Sequence, residues 1–236
     1  MRPYIIINGK SSNEIGGLLI QSLPPISKPQ MRTKAEEIDG RDGDIVTQLG
    51  YKAYDKTYKI GLYGDYDVDE VIEYLSEGGK ITFSNELDKY YVFSPYAQVD
   101  LEKLLSFREA KVKIHVQPFK YDLLESVYNF DNDNTRGFKM GFYNKGNIFS
   151  KPKITITGSG SIRVVLNGET ILTLTLVDQT IILDPVSLNA TDPNGLMLNR
   201  LVRGSLDQIR FNKGENTLSL RGNVSKAIVE NVSRWR

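Results

Sequence analysis

The chain has 236 residues, of which 40% are hydrophobic and 25% are charged, which is the composition of an ordinary water-soluble globular protein. It has no cysteine and one histidine, His115, so we expect no disulfide framework, thiolate nucleophile, multi-histidine metal site or histidine-based catalytic triad. Neither a signal peptide nor a membrane-spanning run is predicted, and the length allows one large domain or two small ones.

The net charge of +1 hides an asymmetry between the two halves of the chain. Residues 1–135 contain 16 Lys and Arg against 22 Asp and Glu, a net charge of −6, whereas residues 136–236 contain 14 against 7, a net charge of +7. This change of sign predicts two domains with a boundary between residues 135 and 136. Three interpretations of the asymmetry are open. The acidic half could line a channel for nucleic acid, the two halves could meet different partners, or the difference could be drift of solvated surface charge.

The first predicted element is a strand over residues 4–7, followed by an apolar run over residues 15–20 and an irregular, proline-rich segment over residues 23–29. Residues 28–51, which we name the arm, overlap the end of that segment. Gly40 and Gly43 bracket Arg41 and Asp42 and predict a tight turn at the tip of the arm, because glycine tolerates positive φ. The flanks have too few apolar residues to bury against their own domain, so we predict that the arm interlocks with another subunit.

After the arm, Tyr58, Ile60 and Leu62 alternate with polar residues and glycine and predict a half-buried strand. A helix is predicted over residues 68–76, with Asp67 as its N-cap and Glu70 completing a capping box. Its predicted buried stripe consists of Val68, Val71, Ile72 and Leu75. Strands over residues 81–83, 90–96 and 111–116 follow, with a helical turn around residues 101–105 and with Pro118 ending the last strand.

Residues 122–148 are rich in Asn, Asp and Gly and are predicted to be a linker, in which Phe130, Phe138 and Phe142 indicate partial docking. From residue 153 onward, alternating apolar residues predict about eight short strands and no helix, among them residues 206–211, 218–220 and 226–232. The Asn-Gly pair at 167–168 predicts a hairpin, and Gly-Ser-Gly at 158–160 predicts a turn. This pattern favours a jelly-roll β-sandwich.

Several motifs occur in an order that resembles one known family. The arm with its GRDG tip is followed by GGK at 78–80, YYV at 90–92, FREAKVKIHVQPFKY at 107–121 and FSKPKITITGSG at 149–160. This succession resembles the distal tail proteins of long-tailed phages that infect Gram-positive bacteria, and the resemblance covers essentially the whole chain. It implies a mainly β protein with one or two short helices: an N-terminal ring-forming domain (1–135) and a galectin-like sandwich (136–236).

The resemblance also implies a function. Such proteins form a homo-hexameric hub at the distal end of the tail in the virion, joining the tail tube protein to the baseplate, tail-tip or tail-associated lysin proteins. DNA passes through the central channel without specific binding. By this resemblance the candidate inter-subunit contact of the arm is made by Ile38, Gly40, Arg41, Asp42 and Gly43.

No motif predicts catalysis, a cofactor or a bound metal. The acidic run at 65–70 begins like a calcium loop, but Glu70 stands at the glycine position and Ser76 at the glutamate position, so we interpret these acids as helix caps. Asp131 opens a second such run, which has Arg136 and Phe142 at those positions. His115 is interpreted as a core or interface residue.

Two alternatives from other functional classes remain. A carbohydrate-binding adhesin module that contacts the host cell wall would use the sandwich domain, although the only aromatic residues after Phe149 are Phe211 and Trp235. An enzyme acting on cell-wall glycans would need paired carboxylates, and no pair stands out among the 29 acidic residues.

Overall fold

The computed structural model describes residues 2–99, 101–131 and 138–236, and the chain divides into two compact units. The first runs to Leu123 and the second from Leu124 to Trp235. The predicted boundary between residues 135 and 136 lies outside the described residues. The division comes earlier because the strand Ser126–Asp131 pairs with a long strand of the second unit and not with the first.

The first unit is an antiparallel sheet with two short helices and a separate hairpin. Its elements are β1 (Ile5–Ile7), β2 (Lys10–Ser11), β3 (Leu18–Ser22), β4 (Met31–Glu37), β5 (Asp44–Tyr51), β6 (Tyr54–Leu62), α1 (Val68–Ser76), β7 (Gly79–Phe83), β8 (Lys89–Val99), α2 (Leu101–Phe107) and β9 (Glu109–Asp122). The strand order is β2-β1-β7-β8-β9-β6-β3, and β4 and β5 form a two-stranded sheet of their own. The predicted irregular segment over residues 23–29 is confirmed.

Helix α1 has the predicted bounds, but its buried side differs from the predicted stripe. Val71 and Leu75 are buried, whereas Val68 and Ile72 are only half-buried, and Tyr74 is buried in addition. The Tyr74 hydroxyl donates to the carbonyls of Ile5 and Lys10, each at 3.2 Å. A tyrosine can therefore occupy the core face, because its polar end has a partner there.

The N-terminus of α1 is capped by one side chain. The Asp67 carboxylate accepts from the backbone N–H groups of Asp69 and Glu70, which confirms the predicted N-cap. The predicted capping box is wrong for Glu70, because its carboxylate lies 3.3 Å from the Lys10 ammonium instead of on the N-cap backbone.

Pro118 does not end β9 as predicted, since the strand continues to Asp122. In the β8–β9 ladder Val116 lies opposite Phe93, and Lys120 lies opposite Tyr91. Between these two pairs β9 has three residues and β8 has one, which is a bulge in β9. Pro118 lies in this bulge, where a residue without an N–H interrupts no ladder hydrogen bond.

The second unit is one curled antiparallel sheet around its own core. Its strands are β10 (Ser126–Asp131), β11 (Phe138–Asn144), β12 (Lys153–Leu166), β13 (Glu169–Asp184), β14 (Asn189–Thr191), β15 (Val202–Gly204) and β16 (Gly214–Asn231). A further short strand, β17 (Arg234–Trp235), does not belong to this sheet. The order is β10-β16-β12-β13-β14, and β11 and β15 add to β16 and β13. The predicted mainly β fold is confirmed, and residues 2–99, 101–131 and 138–236 contain two short α-helices.

The predicted linker over residues 122–148 is wrong, because both β10 and β11 pair with β16. Every second residue of β10 is aromatic where it faces the core, at Tyr128 and Phe130, and Phe142 of β11 is buried against Phe211 with ring centroids 4.9 Å apart. The Asn and Asp residues between these aromatics lie on the outer face and concealed the period of two.

The predicted turn at residues 158–160 is also wrong, because Gly158 and Gly160 lie within β12 at a bulge. The predicted strand over residues 206–211 is replaced by the short 3-10 turn Leu206–Gln208. The two strands predicted beyond it are joined in β16, whose Gly222 has φ of 134°. By contrast, the Asn-Gly hairpin is confirmed, since Asn167 and Gly168 have φ of 51° and 94°.

Candidate assembly interface

The hairpin of the arm is the least supported element of the first unit. Strands β4 and β5 pair from Met31–Tyr51 to Glu37–Asp44, and among the described residues neither makes an extensive contact with any other helix or strand. Nearly every residue of both strands is exposed. A two-stranded ribbon is marginally stable alone, so this geometry suits a segment that is completed by a partner.

The tip of the arm brings together the five residues that the sequence assigned to it. The Arg41 N–H donates to the Ile38 carbonyl at 3.1 Å, and Gly40 and Gly43 have φ of 81° and 76°. A Cβ at either glycine would have no atom within 4 Å, so the glycines are required by the backbone conformation and not by crowding. Whether these residues contact another subunit stays a prediction.

The arm also exposes large apolar side chains. Ile38, Val46 and Leu49 are 48%, 59% and 53% exposed. Single exposed apolar side chains are common on protein surfaces, but three of them on one two-stranded ribbon give it apolar area that a partner could cover.

The segment that leads into the arm is held to the first unit by one buried cation. Lys56 is 3% exposed, and its ammonium donates to the Pro25 carbonyl at 2.8 Å. The Tyr54 hydroxyl donates to the Ser27 carbonyl at 3.4 Å. These bonds fasten the proline-rich segment to β6, so that the arm begins from a fixed point.

The sequence analysis missed Lys56, although a signal was present. Lys56 stands in the inward register of β6, two residues from Tyr54 and two from Tyr58. A lysine at an inward strand position predicts a buried ammonium with a specific acceptor.

Lys56 belongs to a buried polar cluster. Its ammonium lies 4.8 Å from the Tyr91 ring centroid, and Glu86 lies nearby, bonded to Lys120 at 2.5 Å and to the Tyr91 hydroxyl at 2.8 Å. Burial lowers the pKa of Lys56 to about 8, with Glu86 opposing the change and Lys120 adding to it. Burial and the Glu86 carboxylate raise the pKa of Tyr91.

His115 is not the core residue that the sequence suggested. It lies opposite Asp55 in the β6–β9 ladder, its side chain is 41% exposed, and Nδ1 is 2.7 Å from Oδ1 of Asp55. The Lys113 ammonium lies 2.8 Å from the other oxygen of Asp55. Hydrogen bonds from Lys113 and His115 lower the pKa of Asp55. This is a surface ion pair network, and its interface role remains a prediction.

Within residues 2–99, 101–131 and 138–236, no three His, Asp or Glu side chains are grouped so that they could hold a metal ion. No helix in the same part of the chain is long and apolar enough to cross a membrane. The acidic run at 131–134 lies largely outside the described residues.

The second unit carries an exposed aromatic residue that precedes Phe149 and so was not among the aromatic residues considered from the sequence. Tyr143 on β11 is 63% exposed, opposite Glu215 of β16. Phe211, one of the two aromatics considered from the sequence, is fully buried. A sugar platform would need convergent polar groups beside an exposed ring, so the second unit offers Tyr143 as its starting point and not Phe211.

No protein-family model matches the sequence, and no curated protein matches it significantly. The chain is similar in structure to the Dit protein of phage SPP1, described as a paradigm of the hub adsorption apparatus in phages that infect Gram-positive bacteria. The TM-score is 0.65 and the identity 17%, over 100% of both chains. The fold of this chain is therefore the fold of that hub protein, from end to end.

Two structures of the phage P2 baseplate in its activated conformation, with Ca and with Sr, are more distantly similar. Their sequences are 12% identical to this one over 99% and 98% of this chain and over 98% and 97% of theirs. The TM-scores are 0.44 and 0.45, which are too low to establish a common fold.

Proposed function

We propose that this protein is a structural hub at the distal end of a phage tail. The observation that carries the proposal is the whole-chain similarity to the SPP1 hub protein, which includes both units of this chain. Fold alone does not determine function, and the exposed arm supplies a second line of support from this chain itself.

In this proposal six copies close into a ring through their first units. The arm of one copy reaches the next in a head-to-tail contact, which forms a closed ring when the rotation between copies closes. The exposed side chains of Ile38, Val46 and Leu49 would be covered there, and Gly40, Arg41, Asp42 and Gly43 would form the leading edge of the contact.

The ring would connect the tail tube protein to the baseplate, tail-tip or tail-associated lysin proteins, so the protein would reside in the virion at the tail tip. Its central channel would let DNA pass without specific binding, and acidic side chains of the first unit that face the channel would repel the DNA backbone. The proposal assigns no catalytic residue and no cofactor, and it gives the protein no role in a membrane.

The test is an arm shortened at a known register. Removing residues 35–46 and joining Lys34 to Thr47, which lie opposite each other, through an Asn-Gly turn keeps the base of the hairpin intact. We expect the unaltered chain to sediment as a hexamer and to form rings in negative stain, and the shortened chain to remain monomeric with the same melting temperature.

Because a ring can require the tail tube as a template, the same two proteins are also added to tails assembled without this gene product. Incorporation of the unaltered chain, but not of the shortened one, is the expected result. If the shortened arm assembles as well as the full one, the proposed contact is wrong.

A further inference from the structure

We propose that the acidic tip of the arm binds a lysine-lined pocket on the first unit of a second copy of this chain. The inference rests on the proposed function, because it names the surface that receives the arm.

The pocket lies on the exposed face of the first unit, where β3, β6, β9 and α2 meet. It has a volume of about 320 Å³ and is lined by Gln21, Lys59, Lys103, Glu109, Ala110 and Lys111. Three of these six residues are lysines, and Lys59 and Lys111 are directly opposite each other in the β6–β9 ladder. With one carboxylate, Glu109, among its lining residues, the pocket carries a net positive charge.

A like-charged pair at directly opposite positions destabilises a sheet. The next outward pairs of the same ladder show the ordinary solution, since Lys113 and His115 both bind Asp55. Among the described residues, neither Lys59 nor Lys111 has such an acidic partner. The two ammonium groups of this ladder pair therefore have no ion pair within their own unit, and a net positive charge remains beside Glu109, which points to an anionic group from elsewhere.

The tip of the arm has the complementary charge. Residues 36–44 contain five acidic residues and one basic residue, Arg41, which is a net charge of −4. Glu37, Asp39 and Asp42 are exposed and have no ion-pair partner among the described residues. An extended hairpin spans about 3.3 Å per residue, so its tip projects more than 20 Å from its base.

The pattern of signs favours a protein tip over the DNA backbone as the occupant. Glu109 lines the pocket beside Lys111, and a uniformly anionic polymer would offer this carboxylate no cationic partner. The arm tip is mixed instead: Asp39 and Asp42 can meet the lysines while Arg41 meets Glu109. A second copy of the chain thus matches both charges of the pocket.

The contact can be trapped in the native protein. Equal amounts of ¹⁵N-labelled and unlabelled full-length chain are treated with a zero-length carbodiimide, which joins an amine to a carboxylate, and the peptides are identified by mass spectrometry. We expect mixed-isotope products that join Lys59 or Lys111 to Glu37, Asp39 or Asp42. The same treatment is applied to the mixed chains after they are added to tails assembled without this gene product. If the arm tip forms no mixed-isotope product with either lysine in both preparations, the inference is wrong.

Charge exchange tests the energetics. K59E/K111E keeps a like-charged pair in the ladder, so the fold should not change, whereas D39K/D42K reverses the tip. We expect each variant to weaken self-association at least about tenfold and the two sets combined in one chain to restore most of it. K139E/K213E, which alters exposed lysines of the second unit by the same charge, serves as the matched control.

These results separate the inference from the proposed function. If the shortened arm abolishes assembly while K59E/K111E does not, the arm contacts another copy elsewhere and only this inference falls. If K59E/K111E abolishes binding of a fluorescent 20-base-pair DNA and leaves assembly unchanged, the pocket binds DNA, and the inference is again overturned.

Discussion

At the scale of single residues, the most informative side chain is that of Lys56, a cation buried among apolar and aromatic residues. Lys56 places an ammonium at the Pro25 carbonyl and above the Tyr91 ring, at a cost in desolvation that lowers its pKa to about 8. Such a group is weak evidence for stability, because a well-packed apolar residue at a buried ionic position is often as stable or more stable. Lys56 instead positions the arm, because its bond to the Pro25 carbonyl fixes where the chain leaves the sheet.

The lowered pKa has a defined consequence for stability. The unfolded chain holds the proton up to about 10.5, whereas the folded chain releases it near 8, so the unfolded state binds more protons between these values. The unfolding free energy attributable to Lys56 therefore rises with pH in this window, by at most about 1.4 kcal/mol per pH unit. Above pH 10 the raised pKa of Tyr91 acts in the opposite direction.

The measurement is urea unfolding, followed by fluorescence, at pH values from 7.5 to 9.5, compared with K56M. We expect the difference in unfolding free energy between the two proteins to shift in favour of the unaltered chain as the pH rises. A difference that does not change with pH would mean that the Lys56 ammonium is not desolvated.

At the scale of elements, the sequence predicted best where a local pattern and its surroundings agree. Helix α1 could be bounded to the residue because Asp67 predicts its start, the apolar spacing predicts its length and the glycine pair at 78–79 predicts a stop shortly after Ser76. The hairpin of the arm and the Asn-Gly turn could be predicted from the sequence equally well. The sequence therefore predicts the hairpin of the arm as a segment, whereas its contact with another subunit stays a prediction.

Several of the failures share one physical cause, which is that long strands bend at bulges and that sequence periodicity divides them there into separate strands. Strand β12 combines two predicted strands, and β16 does the same across Gly222. The lysine pocket could not be predicted from the sequence for a related reason, because only the register of β6 and β9 brings Lys59 opposite Lys111. Local residue composition does not predict which distant segments pair or in which register.

The bulge in β12 makes a sharp prediction at Gly158. A Cβ there would lie 2.2 Å from the Asn223 carbonyl oxygen and 2.9 Å from a methyl group of Ile162. The obstacle is backbone of the neighbouring strand, so Gly158→Ala must displace β16. We expect a loss of about 2–4 kcal/mol in unfolding free energy.

Gly141→Ala in the same unit is the control, because its Cβ would meet only one atom, at 4.0 Å. We expect that change to stay within about 0.5 kcal/mol of the unaltered protein. Equal midpoints for the two variants in chemical denaturation would contradict the bulge geometry.

At the scale of the whole molecule, two cores of similar size share one chain, and each is built from its own strands. Among the described residues, the cluster of the first unit contains none beyond Val116, and the fully buried cluster of the second contains none before Phe142. Four half-buried residues that precede Phe142 pack against the second cluster, namely Tyr128, Phe130, Phe138 and Met140. Each unit should consequently fold without the other, as expected of domains with separate cores.

The stabilities of two fragments, residues 124–236 and residues 136–236, test where the second unit begins. Residues 124–236 retain β10, whose six residues pair along β16 and whose Phe130 ring lies 6.3 Å from that of Phe142. Residues 136–236, the domain predicted from charge, lack β10 and would expose one edge of β16 together with the aromatic rings that Tyr128 and Phe130 cover. Losing two such aromatic contacts costs on the order of 3–5 kcal/mol, which is a large part of the stability of a domain this size.

We therefore expect the longer fragment to unfold cooperatively and to remain monomeric, and the shorter one to melt at a much lower temperature or to aggregate through its open strand edge. Circular dichroism and light scattering distinguish these outcomes. Equal melting temperatures would mean that β10 adds nothing to the core, and the boundary would then belong where the charge changes sign. A stable longer fragment would also supply the material for a glycan array, in which binding abolished by Tyr143→Ala would turn attention from the hub to an adhesin.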